Sequence, residues 1–318
     1  MKNRITKSKK AQNKKKDDNR SAPQIVVGDA RLTSQFVDRL SVQCVVTSPP
    51  YWGQRCYGAF DEIGGEPTID EYLNNLSEVF LSVRESLAND GTMWVIIGDA
   101  YTAGHRTYRD NDKRHGHRGM VTRPRTPEGL KPKDLIGLAW RIAFRLQSDG
   151  WYLRSESIWH KTNPMPESVK DRPHQSHEHI FLFSKGPSYK FDWNALRACD
   201  TDRFRPSRTV WSTSVNTGMS GHAAPFPLEL IRPCILGSTT ENDLVLDPFA
   251  GSGSVGVICK ELRRRFVGIE LIDQYATLAR SRLGEHKPAL RAEESAPAPR
   301  EASRADSSSP VREFTIDA

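Results

Sequence analysis

Ser48, Pro49, Pro50 and Tyr51 follow directly on the apolar run Cys44-Val45-Val46 and Thr47, with Trp52 and Gly53 behind them. A β-branched run broken by two prolines reads as a buried strand that stops abruptly. Proline cannot donate to a sheet ladder and restricts the residue before it. The stop leaves the Ser48 hydroxyl, the Ser48 and Pro49 carbonyls and the Tyr51 ring projecting past the strand's C-terminal end, the edge where open α/β sheets hold ligands. A hydroxyl and fixed carbonyls accept hydrogens from an amino group, while a flat ring stacks on the plane that bears it. A Pro-Pro turn closing a core strand explains the same four residues taken alone, so the rest of the chain must decide. Trp52 keeps two roles, a stacking face or packing beneath the loop.

A second cluster, Asp247-Pro248-Phe249-Ala250-Gly251-Ser252-Gly253-Ser254-Val255-Gly256, follows the apolar run Leu244-Val245-Leu246. A further short strand, Phe266-Val267-Gly268-Ile269, begins 13 residues past Gly253 and ends in Glu270. Strand, glycine turn, helix, strand and carboxylate let main chain approach an adenosine-bearing cofactor and let the acid accept from ribose hydroxyls. Gly251 to Gly256 satisfies G-x-G-x-x-G, so an NAD-dependent oxidoreductase has to be weighed. Two features argue against it. Beyond Glu270 only one helix, from Leu271 to about Leu283, precedes a polar tail, so the remaining strands must come from earlier in the chain. Gln24-Ile25-Val26-Val27-Gly28-Asp29-Ala30 reads as the missing next strand, which makes the order circularly permuted.

With both motifs in this order, the chain resembles the amino-methylating DNA methyltransferases, the N4-cytosine and N6-adenine family, in the arrangement where the catalytic motif precedes the cofactor motif. The segments Ile158 to Ser168 and His177 to Lys185 match that family too, so the likeness covers most of residues 24–284. The resemblance implies a Rossmann-like α/β fold, S-adenosylmethionine as cofactor and double-stranded DNA as partner. It makes Ser48, Pro49, Pro50 and Tyr51 the catalytic loop, and Asp247, Pro248, Phe249, Gly251 and Gly253 the cofactor loop. Glu270 becomes the ribose-binding acid, and Asp29 falls where an acid contacts the adenine amino group. His222 to Pro227, Phe226 included, resembles the element around the cofactor's methionine end. The methionine carboxylate is expected near Gly251 to Ser254, where a helix N-terminus favours an anion.

Charge is unevenly placed. The first 20 residues hold nine Lys or Arg and two acids within a chain of net charge +7, so residues 1–23 read as a disordered basic tail, either a nonspecific phosphate contact or a solubilising extension. Residues 285–318, rich in Ser, Pro, Ala and Glu, read as a second disordered tail. Between them, 24–284 suffices for one methyltransferase domain. From Tyr101 to Lys133 come Arg106, Arg109, Lys113, Arg114, Arg118, Arg123, Arg125, Lys131 and Lys133 against three acids. This stretch follows the strand Met93 to Ile97 and reads as a clamp on DNA phosphates rather than a merely solvated loop. Arg106, Arg114, Arg118, Arg123, Arg125 and Lys161 are the expected DNA contacts. Residues 186–222, where the family usually carries its target-reading region, are a second candidate DNA surface.

About seven strands are expected, at 24–27, 43–47, 92–97, 152–160, 178–184, 243–246 and 265–269. Thr68 to Glu71 is a capping box opening a helix whose apolar positions run from Ile69 to Leu87, ended by Asn89-Asp90-Gly91. A second helix is expected from Asp134 to Ser148, with Leu135, Leu138, Ala139, Ile142 and Leu146 facing the sheet. Strands alternating with amphipathic helices imply a doubly wound, largely parallel sheet.

Other readings are set aside. His174, His177, Glu178 and His179 suggest a metal site, but Phe181 occupies the position of the second histidine of H-E-x-x-H, and no metal is expected. The five cysteines show no paired spacing, which suits a reducing compartment, and Cys234 precedes the cofactor motif where the nucleophile of a C5-cytosine methyltransferase should follow it. With no transmembrane run or secretory signal, the expected location is the cytoplasm of a bacterium or its phage, at the nucleoid through DNA.

The expected reaction is methyl transfer from S-adenosylmethionine to the N4 amine of a flipped-out cytosine, with Tyr51 as the stacking face and no covalent enzyme intermediate. The family's adenine enzymes usually carry Asp or Asn before Pro-Pro and its cytosine-N4 enzymes usually carry Ser, as Ser48 does here. An N6-adenine methyltransferase is the alternative, and a non-catalytic DNA-binding protein on the same fold a further one. Short methylases of this arrangement usually protect DNA beside a cognate restriction endonuclease acting on the same site. Family likeness suggests a GC-rich palindrome such as CCCGGG.

Overall fold

The apolar runs become the strands of one sheet in a computed structural model that describes residues 23–54, 61–102, 124–215 and 227–284. The strands are β1 Gln24–Val27, β2 Val42–Thr47, β3 Leu87–Ile97, β4 Tyr152–Lys161, β5 His177–Ser184, β6 Val210–Thr213, β7 Leu244–Asp247 and β8 Arg265–Glu270. The helices are α1 Thr33–Phe36, α2 Ile69–Ser86, α3 Leu138–Ser148, α4 Trp193–Arg197, α5 Leu228–Ser238, α6 Ser254–Glu261 and α7 Asp273–Leu283. The sheet order is β1-β8-β7-β2-β3-β5-β4-β6. Only β5 is antiparallel to its neighbours.

Alternation along the strands builds two cores. Val45, Met93, Val95, Phe181 and Phe183 pack with Ile69, Tyr72, Phe80 and Ile142 of α2 and α3 on one face. Cys44, Val46, Trp94, Ile96, Ile180 and Leu182 pack with Ile231, Ile235, Val255, Ile258 and Ala279 on the other. Both faces are thus covered, as a doubly wound sheet requires. The helices that follow the adjacent parallel strands β2 and β7 leave to opposite faces, which opens a crevice at their C-terminal ends.

Three local expectations need correction. The helix opened by the Thr68 cap, whose Oγ1 accepts from Glu71 N–H at 3.2 Å, stops at Ser86. Leu87 already pairs with Val42 as the first residue of β3, so Asn89-Asp90-Gly91 lies within an extended strand. The next helix begins at Leu138, after Gly137 in the left-handed region at φ 71°. Asp134 and Leu135 are held extended instead, by Thr102 N–H to Asp134 O and Ile136 N–H to Ala100 O, both 2.9 Å, and Leu135 is 51% exposed rather than facing the sheet. The strand beyond the expected seven is β6, four residues beside Ile158 to Lys161, with Val210 on the surface.

Candidate active site

Because β5 alone is reversed, one edge of the sheet gathers the C-terminal ends of seven strands and the start of the eighth. A cavity of about 500 Å³ lies along that edge, lined by Asp29 after β1, Ser48 to Tyr51 after β2, Gly98 and Asp99 after β3, Lys161 on β4, Glu178 on β5, Asp247 to Ser252 after β7 and Glu270 on β8. The residues read from the two motifs therefore meet at one cleft, from sequence positions about 200 apart.

The substrate-side loop is locked from several directions. Trp52 is 3% exposed and donates Nε1–H to Glu66 O at 2.9 Å, so of its two readings it takes packing beneath the loop. The Tyr72 hydroxyl donates to Pro50 O at 2.7 Å, which ties the loop to α2. Gly53 adopts φ 67°, and a Cβ there would meet Pro124 Cγ at 2.8 Å, so Pro124 of the basic stretch abuts this loop. The Tyr51 hydroxyl donates to Glu178 Oε2 at 2.7 Å. Burial, then the Glu178 charge, pushes the Tyr51 phenol well above its ordinary value.

The glycine turn is equally specific. Gly251 and Gly253 lie in the left-handed region at φ 52° and 78°, and Gly253 precedes α6. Glu270 accepts from Gly251 N–H on Oε2 at 2.8 Å and from Ile272 N–H on Oε1 at 2.9 Å. Burial raises its pKa against the pull of those donors. Asp247 Oδ1 accepts from Phe249 N–H at 3.1 Å and from Thr47 Oγ1–H at 2.7 Å. Its 3% exposure makes it a tie between the two loops, and burial pushes its carboxyl up to about 7. Asp29 takes Arg31 N–H on Oδ1 at 2.8 Å and the Arg31 guanidinium on Oδ2 at 2.6 and 2.9 Å.

Lys161, expected at DNA phosphates, lines the cleft and pairs with Glu178 Oε1 at 2.5 Å, its ammonium also 5.0 Å from the Trp159 ring centroid. Arg125 is exposed beside Pro124. Phe226, Arg106, Arg114, Arg118 and Arg123 lie outside the described residues. The histidines have other partners: His179 Nδ1 meets Glu156 Oε1 at 2.8 Å and His174 Nε2 meets Val169 O at 2.9 Å. Among the described residues no group of three or more His, Cys, Asp or Glu is placed to hold a metal. Cys234 is buried in α5, away from the cleft, its thiol pushed well above the ordinary range by burial. No described helix is long and apolar enough to cross a membrane.

Thr47 and Tyr72, which brace the two loops, carry no site reading in the sequence, and Glu178, on the cleft wall, is read there only as a candidate metal ligand. Only Glu178 leaves a signal, a carboxylate at the head of the apolar run Ile180 to Phe183.

Comparison with known proteins agrees with this geometry. Residues 42–281 match the family model for N6/N4 DNA methylases. The Type II methyltransferase M.Cfr9I of Citrobacter freundii is 52% identical over 266 residues, covering 83% of this chain and 89% of that protein. The Type II methyltransferase M.SmaI of Serratia marcescens is 51% identical over 262 residues, covering 81% and 90%. Among solved structures, a DNA modification methylase of Thermus thermophilus, complexed with S-adenosyl-L-methionine, aligns with TM-score 0.56 and 26% identity over 83% of this chain and 95% of that one. The cytosine-N4-specific PvuII DNA methyltransferase shares the fold, with TM-score 0.61 at 19% identity over 81% of this chain and 86% of its own.

Proposed function

The chain belongs to the N6/N4 DNA methylase family, and from that premise we propose that it is the S-adenosylmethionine-dependent modification enzyme of a Type II restriction-modification system, whose product is N4-methylcytosine in duplex DNA. The observation that carries this reading is the meeting of Ser48 and Tyr51 with Gly251 and Glu270 in one cleft. S-adenosylmethionine supplies the methyl group when bound. The residues fit it: a Cβ on Gly251 would find only Phe249 O, 4.0 Å away, so the turn is open to a ligand. Glu270 would hold the ribose hydroxyls, Asp29 the adenine amino group, and the start of α6 the methionine carboxylate.

An exocyclic amine is a weak nucleophile because its lone pair is delocalised into the base. Ser48 Oγ and the Pro49 carbonyl would accept its hydrogens and favour a pyramidal nitrogen. The contribution of these residues is orientation and electrostatics. The base must leave the duplex to reach them, with Tyr51 as its stacking face and the basic stretch 101–133, Arg125 included, on the phosphates. Ser48 at the first position of the loop favours cytosine over adenine by family likeness.

Methylome sequencing of a methylation-free host expressing the chain, with mass spectrometry of its nucleosides, should show N4-methylcytosine at one palindrome, CCCGGG being the first to inspect. N6-methyladenine would overturn the choice of base. Labelled methyl appearing in RNA or protein but not DNA would overturn the substrate class.

A further inference from the structure

The loop between β4 and β5 carries an apolar side chain that the fold leaves uncovered. Met165 is 71% exposed, more than any other large hydrophobic among the described residues, and with Pro164 and Pro166 it lines the cleft that holds Ser48 and Tyr51. A single exposed methionine is ordinary. This one is also held in place. The two prolines set their own φ and keep Asn163 and Met165 away from helical backbone. Asn163 clasps the chain just past β6, donating Nδ2–H to Val215 O at 3.2 Å and accepting Val215 N–H at 2.6 Å. On the far side of Met165, Glu167 Oε1 accepts from Gln175 N–H at 3.3 Å, and its carboxylate pairs with Arg172 at 2.7 Å. Both ends of the basic stretch 101–133 are fastened to the same loop. The Arg172 guanidinium lies 3.7 Å from the Tyr101 ring centroid, and Lys133 Nζ donates to Asp171 Oδ2 at 2.7 Å. The chain that would grip phosphates therefore starts and finishes beside Met165, on the β3, β5 and β4 side of Ser48 and away from the glycine turn after β7. Leu271, the other exposed large apolar residue lining the cleft among those described, follows Glu270 on the cofactor side.

We propose that Met165 is the wedge of base flipping: as the target base turns out of the duplex into the cleft, the methionine enters the stack and occupies the space the base leaves. The proposal rests on the reading of the chain as a methyltransferase of duplex DNA. A flipped base leaves its stacking neighbours and its orphaned partner with uncovered apolar faces. An apolar side chain inserted between base steps covers them and offsets part of the cost of unstacking. Methionine suits such a gap, because its unbranched, polarisable arm fills irregular space and packs well against aromatic faces. The prolines and the Asn163 and Glu167 ties hold the backbone beforehand, so insertion orders one side chain rather than a whole loop.

Met165→Ala changes an exposed side chain, so the fold should be kept. On a duplex carrying the site mapped in the methylome, with labelled S-adenosylmethionine, its kcat/KM should fall by roughly ten- to a hundredfold, the scale of one lost base stack. Met165→Leu, which can still insert, should stay within about threefold of wild type. Cofactor affinity should be unchanged in both. A second duplex places a pyrene nucleotide opposite the target base, where it fills the space of a whole pair and expels that base unaided. On it Met165→Ala should come within about threefold of wild type, since flipping then needs no wedge. Equal losses on the two duplexes, or no loss on the ordinary one, overturn the proposal, as does a weakened cofactor affinity in Met165→Ala. A readout without turnover uses 2-aminopurine at the target position, which brightens when unstacked. It should be brighter with wild type than with Met165→Ala, and equal signals overturn the proposal. A wild-type protein that transfers no methyl to duplex DNA refutes the functional reading instead, so the two failures are distinguishable.

Discussion

Thr47→Val probes the joint between the two loops with the least change of shape. Thr47 is fully buried at the end of β2, and its hydroxyl reaches Asp247 Oδ1, at the end of β7, at 2.7 Å. Valine replaces that hydroxyl with a methyl group and leaves Asp247 with only the Phe249 N–H at 3.1 Å. Losing a hydrogen bond to a buried charged acceptor costs roughly 1.5–3 kcal/mol, and to a neutral one about 0.5–1.5 kcal/mol. Which figure applies depends on pH. Burial holds the folded Asp247 at about 7, against about 3.9 for a free aspartate. Its contribution to stability is therefore full below the unfolded pKa and declines as pH rises through about 7, because the folded state holds the proton more tightly. Removing the hydroxyl that lowers this pKa raises it further. The variant should thus lose more stability at pH 8.5 than at pH 5.5. At about 2–4 °C per kcal/mol for a domain of this size, Tm should drop by roughly 3–12 °C at the higher pH and by about half that at the lower. Thermal unfolding at the two pH values is the assay. An equal drop at both, or a loss under about 0.5 kcal/mol at pH 8.5, would refute the claim that this bond joins the loops.

Glu270→Ala removes the acceptor of two N–H groups as well as the proposed ribose contact, and should cost on the order of 1.5–3 kcal/mol of cofactor affinity; calorimetry showing unchanged affinity in folded protein would mean the acid is misassigned. Replacing Arg114, Arg118 and Arg123 by Gln should weaken DNA binding and flatten its salt dependence by roughly 0.9 per lost contact while sparing cofactor binding; an unchanged slope returns the stretch to a solvated loop. Cys234→Ser should retain methyl transfer, and DNA containing 5-fluorocytosine should not trap the protein; an adduct abolished by the substitution would place the chemistry at cytosine C5.

The two motifs and the parallel sheet are legible because each is written in a short run: Cys44-Val45-Val46 before a Pro-Pro stop, and Leu244-Val245-Leu246 before a glycine turn. Alternation along Met93 to Ile97 and Ile180 to Phe183 places the core on both faces. Long-range pairings are not legible. Nothing in Leu87 or Leu135 tells which is taken by a strand and which by the surface, because Val42 and Tyr101, the partners that decide, are distant in sequence. The place of Lys161 is hidden for the same reason. A lysine after a strand suits a phosphate equally well, and only the reversed β5 brings Glu178 alongside it.

The sheet also fixes a timetable for synthesis. β1 occupies the sheet edge and, among the described strands, pairs with β8 alone, with Gln24 opposite Val267 and Val27 opposite Glu270. Its partner leaves the ribosome roughly 240 residues later, about 12–50 s at 5–20 residues per second. For most of that time β2 has β3 on one side, but its β7 side stays open and Thr47 has no Asp247 to meet. The Ser48 loop is therefore made early and waits, while the glycine turn and Glu270 arrive last and complete the cleft. A nascent or C-terminally clipped chain would carry the amine-facing half of the site with its cofactor-facing half missing, so modifying capacity rises only with finished molecules.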